Sequence, residues 1–356
     1  MHQIILFYKY IYLDNPEEIK NKQKKICSQL NLVGRCIIAH EGINATFEGT
    51  QENIKKYILE LEKDNRFLNI NFKISSSSGN SFPKLSIKTR KEIVSLDLTC
   101  DIDPNQITGL RLSPEELYEW IQGPNETKKE FYIVDMRNIY EQKVGNFKNS
   151  ILMPLTNFRD LPKFIKNIEH LKNKTIVTVC TGGVRCEKAS GFLLSQNFKD
   201  VYQLDGGIVS YMEKYPNEDF QGKLYVFDQR IAMGFYTDDP KRNTSQLSAT
   251  VIGECEACKK PSENYINCLN LFCHRHFIIC EECLVENKNQ LCPKSCILTR
   301  YGKKVIILKI KNIFKNIFKK SFIKLKKLFF NLAKNSIFKI LKIIFYIKKN
   351  YETIFR

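Results

Sequence analysis

The stretch TIVTVCTGGVRCEKAS, residues 175–190, constrains this chain more than any other. Five apolar or β-branched residues run into Cys180, two glycines and an arginine follow, and a helix-forming run comes next. The sulfur is therefore expected at the carboxyl end of a buried strand, inside a curl of backbone N–H groups beside a helix N-terminus. Such surroundings favour a thiolate. Thr181, Gly182, Gly183 and Val184 make the curl, with the glycines supplying backbone angles that other residues avoid. Arg185 braces it and supplies positive charge. An inert buried thiol is the usual fate of a single strand-end cysteine, but this context argues against it. Cys186, next in the chain, reads either as a resolving thiol or as a small helix-start residue packed on the sheet.

Around that strand the pattern alternates. Helices are expected over 114–122, 161–170, 187–196 and 208–215, and strands over 131–135, 150–154, 175–180 and 201–204. Strand and helix in alternation give a parallel sheet covered on both faces, with chemistry at the carboxyl ends of the strands. A second strand end carries Asp135 and Arg137, placed as supporting residues of the loop. Upstream, past a linker at 101–113, residues 1–98 read as βαββαβ, the ferredoxin-like order. Its expected core is Ile4, Phe7, Ile37, Ile38, Ala45, Phe47, Ile58 and Leu61. Lys84, Lys88, Arg90 and Lys91 lie in a β-like run after a serine-rich loop; they can line a phosphate backbone, or simply guard a sheet edge with charge.

Eight of the thirteen cysteines fall between Cys255 and Cys296. They are Cys255, Cys258, Cys268, Cys273, Cys280, Cys283, Cys292 and Cys296, a number that suits two tetrahedral zinc ions with a structural role. Consecutive fours can share an ion, or the two C-x2-C pairs can unite in a cross-brace, and spacing leaves both open. His274 and His276 are neighbours rather than expected ligands. The net charge of +18 invites a nucleic-acid reading, yet residues 301–356 hold sixteen basic residues against one acidic and carry +15 of it. Ile310, Ile313, Phe314 and Ile317 give that tail an apolar stripe among lysines, so a basic amphipathic helix is expected, suited to an anionic membrane surface, to nucleic-acid phosphates or to packing as an extra helical pair. With 43% hydrophobic and 26% charged residues the chain is globular. It has no apolar run near the ~20 residues of a span, and no signal-peptide pattern at its start, so a cytoplasmic protein is expected.

Cys-x4-Arg is one residue shorter than the loop of cysteine phosphatases, and a ring of that size suits an added sulfur better than a phosphate. The loop resembles that of rhodaneses, as do Asp135, Arg137, Glu141, Gly145 and the LDGG turn at 204–207. With HEGINATFEG at 40–49, YVFDQR at 225–230, and NCLNLFCH and CEECL, the chain from 1 to about 300 resembles the rhodanese-related tRNA uridine hydroxylases. That resemblance implies oxygen-dependent conversion of wobble uridine 34 to 5-hydroxyuridine. It further implies Cys180 as a persulfide-forming active-site residue with Arg185 as its partner, molecular oxygen as co-substrate, and the anticodon arm of tRNA bound with help from Lys84 to Lys91. No stable protein partner is expected. The oxygen-activating species is not legible, because the chain has neither a glycine-rich dinucleotide loop nor a His-x-Asp/Glu pair. The rival enzyme reading is a general sulfurtransferase, and a non-enzymatic one is a zinc-stabilised RNA adaptor. The organisation expected is 1–98 ferredoxin-like, 113–222 rhodanese, 223–300 cysteine-rich and 301–356 basic tail.

Overall fold

Strand β1 (His2–Tyr10) sends Ile5 and Phe7 to one face and Ile4, Leu6 and Tyr8 to the other, as a period of two requires. Helix α1 (Pro16–Gln29) begins at Asn15, whose side chain accepts from the Glu18 N–H, with proline in the first turn. Strands β2 (Val33–Ala39) and β3 (Gly42–Thr50) follow, then α2 (Gln51–Glu62), capped by Thr50, and strands β4 (Lys73–Ser77) and β5 (Leu85–Thr89). The sheet order is β4-β1-β3-β2-β5, the ferredoxin-like arrangement with a parallel fifth strand at the edge beside β2. Both helices cover the Ile5 and Phe7 face, through Ile19, Ile26, Ile54, Tyr57 and Leu61. The opposite face is left to the rest of the molecule.

The computed structural model describes residues 1–98, 102–123, 130–235, 250–270, 273, 275–287, 290–292 and 296. The basic tail and His274 lie outside them. The described residues divide between two compact units, one within Met1–Asn267 and Arg275–Gln290, the other holding Cys268, Cys273, Leu291, Cys292 and Cys296.

Within the larger unit the second sheet is built from β6 (Leu110–Leu112), β7 (Phe131–Asp135), β9 (Ile151–Leu152), β10 (Thr175–Val179) and β11 (Asp200–Leu204). Their order is β6-β11-β10-β7-β9, and every pairing is parallel. Helices α3 (Pro114–Gln122), α4 (Ile139–Gln142), α5 (Leu161–Phe164), α6 (Val184–Ser195) and α7 (Gly207–Lys214) join them, and β8 (Gly145–Phe147) pairs with β12 (Phe220–Gly222) outside the sheet. Beyond lie the short pair β13 (Leu224–Tyr225) and β14 (Ala232–Met233), the hairpin β15 (Tyr265–Asn267) and β16 (His276–Ile278), and α8 (Glu281–Glu286). Among the described residues no helix is long and apolar enough to cross a membrane.

Several expectations need correction. Ile37 cannot share a core with Ile38, because adjacent strand residues point to opposite faces; Ile37 joins Ile4 on the face away from the helices, and Ile58 is only half-buried at the core margin. The supposed linker at 101–113 contributes β6, three residues being too few to show a period. The helix expected at 161–170 is one α-turn followed by a 3-10 segment over Ile165–Leu171, broken at Phe164 (φ −107°), and α6 starts at Val184 rather than Glu187.

Candidate active site

Strand β10 is wholly buried and delivers Cys180 to its carboxyl end with no exposed surface. The chain then turns through Gly183 (φ 98°), a conformation closed to most side chains, straight into α6. That is why the helix starts three residues early: the loop is its first turn. The Gly183 N–H donates to the Cys180 sulfur at 3.2 Å. Burial pushes the Cys180 thiol up, but the Cys186 S–H, the Arg185 guanidinium and the backbone N–H groups of Cys186 and Arg185 outweigh it and bring it down to about 6. The loop thus favours the thiolate form of this sulfur. Cys186 is driven the other way by its own burial and by the negative sulfur it donates to, so it stays a thiol. The second glycine turn docks on the loop, with the N–H groups of Ile208 and Val209 donating to the carbonyls of Cys180 and Thr181 at 2.9 and 3.0 Å. A side chain at Gly207 would start only 2.6 Å from the Gly183 nitrogen.

Arg185 is buried and forms a two-pronged pair with the fully buried Glu141, at 2.6 and 2.7 Å, while the Thr181 hydroxyl donates to the same carboxylate at 3.1 Å. Burial alone would raise Glu141, but the charge and hydrogen bonds of Arg185, with Arg137 behind, hold its carboxyl below the usual range. Glu141 is thus what aims Arg185 at the loop. Asp135 and Arg137 do not enter the loop. They pair with each other, both fully buried, and Arg137 also donates to the Gly145 carbonyl at 2.6 Å, tying the end of β7 to β8.

The N-terminal sheet closes over this loop with the face its helices leave bare. Leu6 lies against Gly182, the Tyr8 hydroxyl donates to Glu187 at 3.0 Å, and the Tyr10 hydroxyl donates to the Val184 carbonyl at 3.0 Å. Arg111 pairs with Glu187 at 2.6 Å and with Asp205 at 2.8 Å. One residue on, the buried Lys188 ammonium meets Glu41 at 2.7 Å and Glu92 at 3.1 Å, both from the N-terminal domain. The consecutive charges Glu187 and Lys188 therefore bind α6 to its neighbours on two sides. Between the sheet and the loop a cleft of about 610 Å³ remains, reached by Thr181, Gly182, Val184 and Arg185 from one wall and by Tyr8, Arg35 and Lys73 from the other.

Family models match residues 2–93 as a UPF0176 acylphosphatase like domain, 113–214 as a rhodanese-like domain and 221–297 as a rhodanase C-terminal segment. A tRNA uridine(34) hydroxylase of Cytophaga hutchinsonii is 38% identical over 295 residues, covering 83% of this chain and 89% of that protein. One from Staphylococcus carnosus is 41% identical, covering 79% and 85%. Another, from Aster yellows witches'-broom phytoplasma, is 41% identical over 308 residues, covering 85% and 95%. The chain belongs to the tRNA uridine(34) hydroxylase family. The ferredoxin-like and rhodanese-like halves of this family member are thus those expected from its motifs.

The cysteines come together as two sets of four. Cys255, Cys258, Cys280 and Cys283 form one, and Cys268, Cys273, Cys292 and Cys296 the other, the sulfurs of each lying within 4.8 Å of one another. This is the cross-braced pairing; consecutive fours are not what folds. Sulfur separations of 3.5 to 3.7 Å approach the roughly 3.8 Å edge of a tetrahedron with metal–sulfur bonds of about 2.3 Å. His276 is no ligand: it stacks on Tyr265 at 4.5 Å and meets the Tyr225 hydroxyl. Of the basic run, Arg90 and Lys91 reach the cleft, whereas Lys84 and Lys88 stand exposed outside it. Sequence reasoning gave no role to Tyr8, Lys73, Arg111 or Glu187. Their one signal was a Glu-Lys pair at a helix start that the fold had to bury.

Proposed function

We propose that this chain hydroxylates uridine 34 of tRNA to 5-hydroxyuridine, with Cys180 as the reacting sulfur. The observation that carries the reading is a thiolate held at the head of α6, buried beneath a cleft that a second domain roofs, in a chain about 40% identical to named tRNA uridine(34) hydroxylases over most of its length. A simple sulfur carrier has no need of that roof, because small donors and acceptors reach an open loop unaided. The reaction is an oxidation with molecular oxygen as co-substrate, which makes the enzyme an oxidoreductase, and its tRNA substrate sets it in the cytoplasm.

Within this reading each residue has a part. Backbone N–H groups, the Cys186 thiol and Arg185 stabilise negative sulfur at Cys180. Cys180 itself is fully buried, and a persulfide adds a terminal sulfur about 2 Å further out, which lengthens the reach of the nucleophile. Glu141 and Thr181 orient Arg185, and Asp135 with Arg137 fixes the strand end behind them. Cys186 is the thiol positioned to resolve a sulfur bonded to Cys180. The two cysteine sets hold structural zinc, since four thiolates leave no open position for a substrate. The first set lies beside the Tyr140, Tyr225 and Tyr265 cluster, in which Tyr265 donates to the Tyr140 carbonyl next to Glu141. The anticodon arm is bound from the N-terminal side, with Arg90 and Lys91 at the cleft.

The test is mass spectrometry of wobble-position nucleosides in tRNA from a host lacking its own 5-hydroxyuridine-forming enzymes, complemented with this gene or its Cys180→Ala form. Restoration by the intact gene alone is expected. Absence of 5-hydroxyuridine with soluble protein, together with thiosulfate-to-cyanide sulfur transfer, would move the assignment to a sulfurtransferase.

A further inference from the structure

The bare face of the N-terminal sheet carries a chemical pattern that the Cys180 loop does not use. Alternation along β1, β2, β3 and β4 brings Leu6, Tyr8, Arg35, Thr46 and Lys73 to the cleft wall. Lys73 is the unusual member. It is only 6% exposed, yet among the described residues its ammonium has no hydrogen bond and no ion pair. Its ammonium lies 5.2 Å over the ring of Tyr8, and its stem passes the glycine turn at Gly206. Burial pulls this ammonium down, with Asp205, Cys180 and Glu213 acting only at longer range. The ammonium is not among the buried polar atoms without a partner and so keeps a face open to the cleft, where a ligand's carbonyl oxygen would accept a charge-assisted hydrogen bond.

The rest of the cleft says what kind of ligand. Arg35, Arg90 and Lys91 reach it with no carboxylate partner among the described residues. Of its acids, Glu92 is engaged by Lys188 and Asp228 by Arg230, which leaves Glu213 alone against Arg35, Lys73, Arg90 and Lys91. The field is therefore positive at the rim. Phe227, 44% exposed, offers an aromatic surface at the mouth, with the Arg185 guanidinium 5.7 Å from its ring centre. Cations at a rim, an aromatic plane at the mouth and one buried donor inside match a single nucleotide turned out of its stack, whose base has carbonyl edges and whose phosphates stay outside. The volume is of the right order for such a ligand.

We propose that this cleft is the pocket for the everted target pyrimidine, with Lys73 donating to a ring carbonyl, Phe227 stacking on the base, and Arg35, Arg90 and Lys91 taking the flanking phosphates. The proposal rests on the RNA-modifying reading above and deepens it. Lys73 is a binding residue here; the sulfur chemistry stays with Cys180.

The experiment uses the full chain and a synthetic anticodon stem-loop with 5-iodouridine at position 34 for photo-cross-linking, and the unmodified stem-loop for binding and turnover. Cross-links are expected on peptides carrying Tyr8, Lys73 or Phe227. Lys73→Met, which keeps the stem length, is expected to weaken binding at least about ten-fold, and Arg35→Ala to weaken it and flatten its salt dependence. Lys25→Ala, the same charge change on the helix-covered side, should bind as the parent does. Each variant's melting temperature separates lost binding from lost folding; should Lys73→Met fail to fold, the cross-link map and Arg35→Ala decide. Cross-links outside the cleft, or unchanged binding by folded Lys73→Met, overturn the pocket. Cross-links inside the cleft by a chain that never forms 5-hydroxyuridine would uphold the pocket and sink the reaction. Normal 5-hydroxyuridine formation with cross-links elsewhere would do the reverse.

Discussion

A thiol with no solvent exposure ought to be a poor acid, and Cys27 and Cys36 behave that way, burial pushing Cys27 up to about 12 and Cys36 well above its ordinary value. Cys180 differs because burial there comes with N–H groups, a thiol donor and Arg185. Its pKa in the fold, about 6, lies below the ordinary value of about 8.5. The fold therefore favours the deprotonated form, and Cys180 contributes stability that is fully present above the ordinary value and lost as pH falls through the folded one. The ultraviolet thiolate signal, taken as the difference between wild type and Cys180→Ser, should titrate near pH 6; a midpoint at 8 or above would remove the basis for calling it activated. Glu141 is the second test at this scale. Glu141→Gln keeps the shape but leaves the buried Arg185 with the Cys180 sulfur in place of its carboxylate partner, so denaturant unfolding should show a loss of about 3–5 kcal/mol, and the Cys180 titration should shift because its brace has moved. An unchanged midpoint in both measurements would reduce Glu141 to a bystander.

Elements were legible where a period or a punctuation mark announced them. The strand before Cys180 and the βαββαβ order of the N-terminal part were readable because local rules and tertiary packing agree there. β6 was not, being three residues long, and neither was the true start of α6, since the loop motif and the first helical turn are one object. The pairing of cysteines was likewise beyond spacing, because which thiolates meet is decided by the β15 and β16 hairpin that carries Cys280 back to Cys255. At this scale two zinc ions per chain are expected by elemental analysis. Cys255→Ser and Cys268→Ser should each lose one. Only the former should also disturb the Tyr265–Tyr140 contact, and with it Cys180 titration, since the first set shares a compact unit with the loop. Equal effects of both variants on that titration would contradict this.

At the scale of the molecule, the site belongs to neither domain alone. The rhodanese-like part supplies the sulfur and its brace, and the ferredoxin-like part supplies the roof, held down by Lys188 between Glu41 and Glu92 and by Tyr8 on Glu187. The loop motif disclosed the first half of the site; the second was hidden because Lys73, Tyr8 and Arg35 are far from Cys180 in the chain and look like ordinary alternate strand residues. Joining the halves turns a sulfur-handling loop into a closed cleft where a large substrate can present one base. The most direct test follows the oxygen atom. Cells lacking their own 5-hydroxyuridine-forming enzymes and carrying this gene are shifted from argon to heavy-isotope oxygen gas, and position-34 nucleosides are analysed by mass spectrometry. The account predicts 5-hydroxyuridine bearing the heavy atom with the intact gene, and none with Cys180→Ala. Product whose oxygen comes from water, or labelled product undiminished in Cys180→Ala, would contradict it.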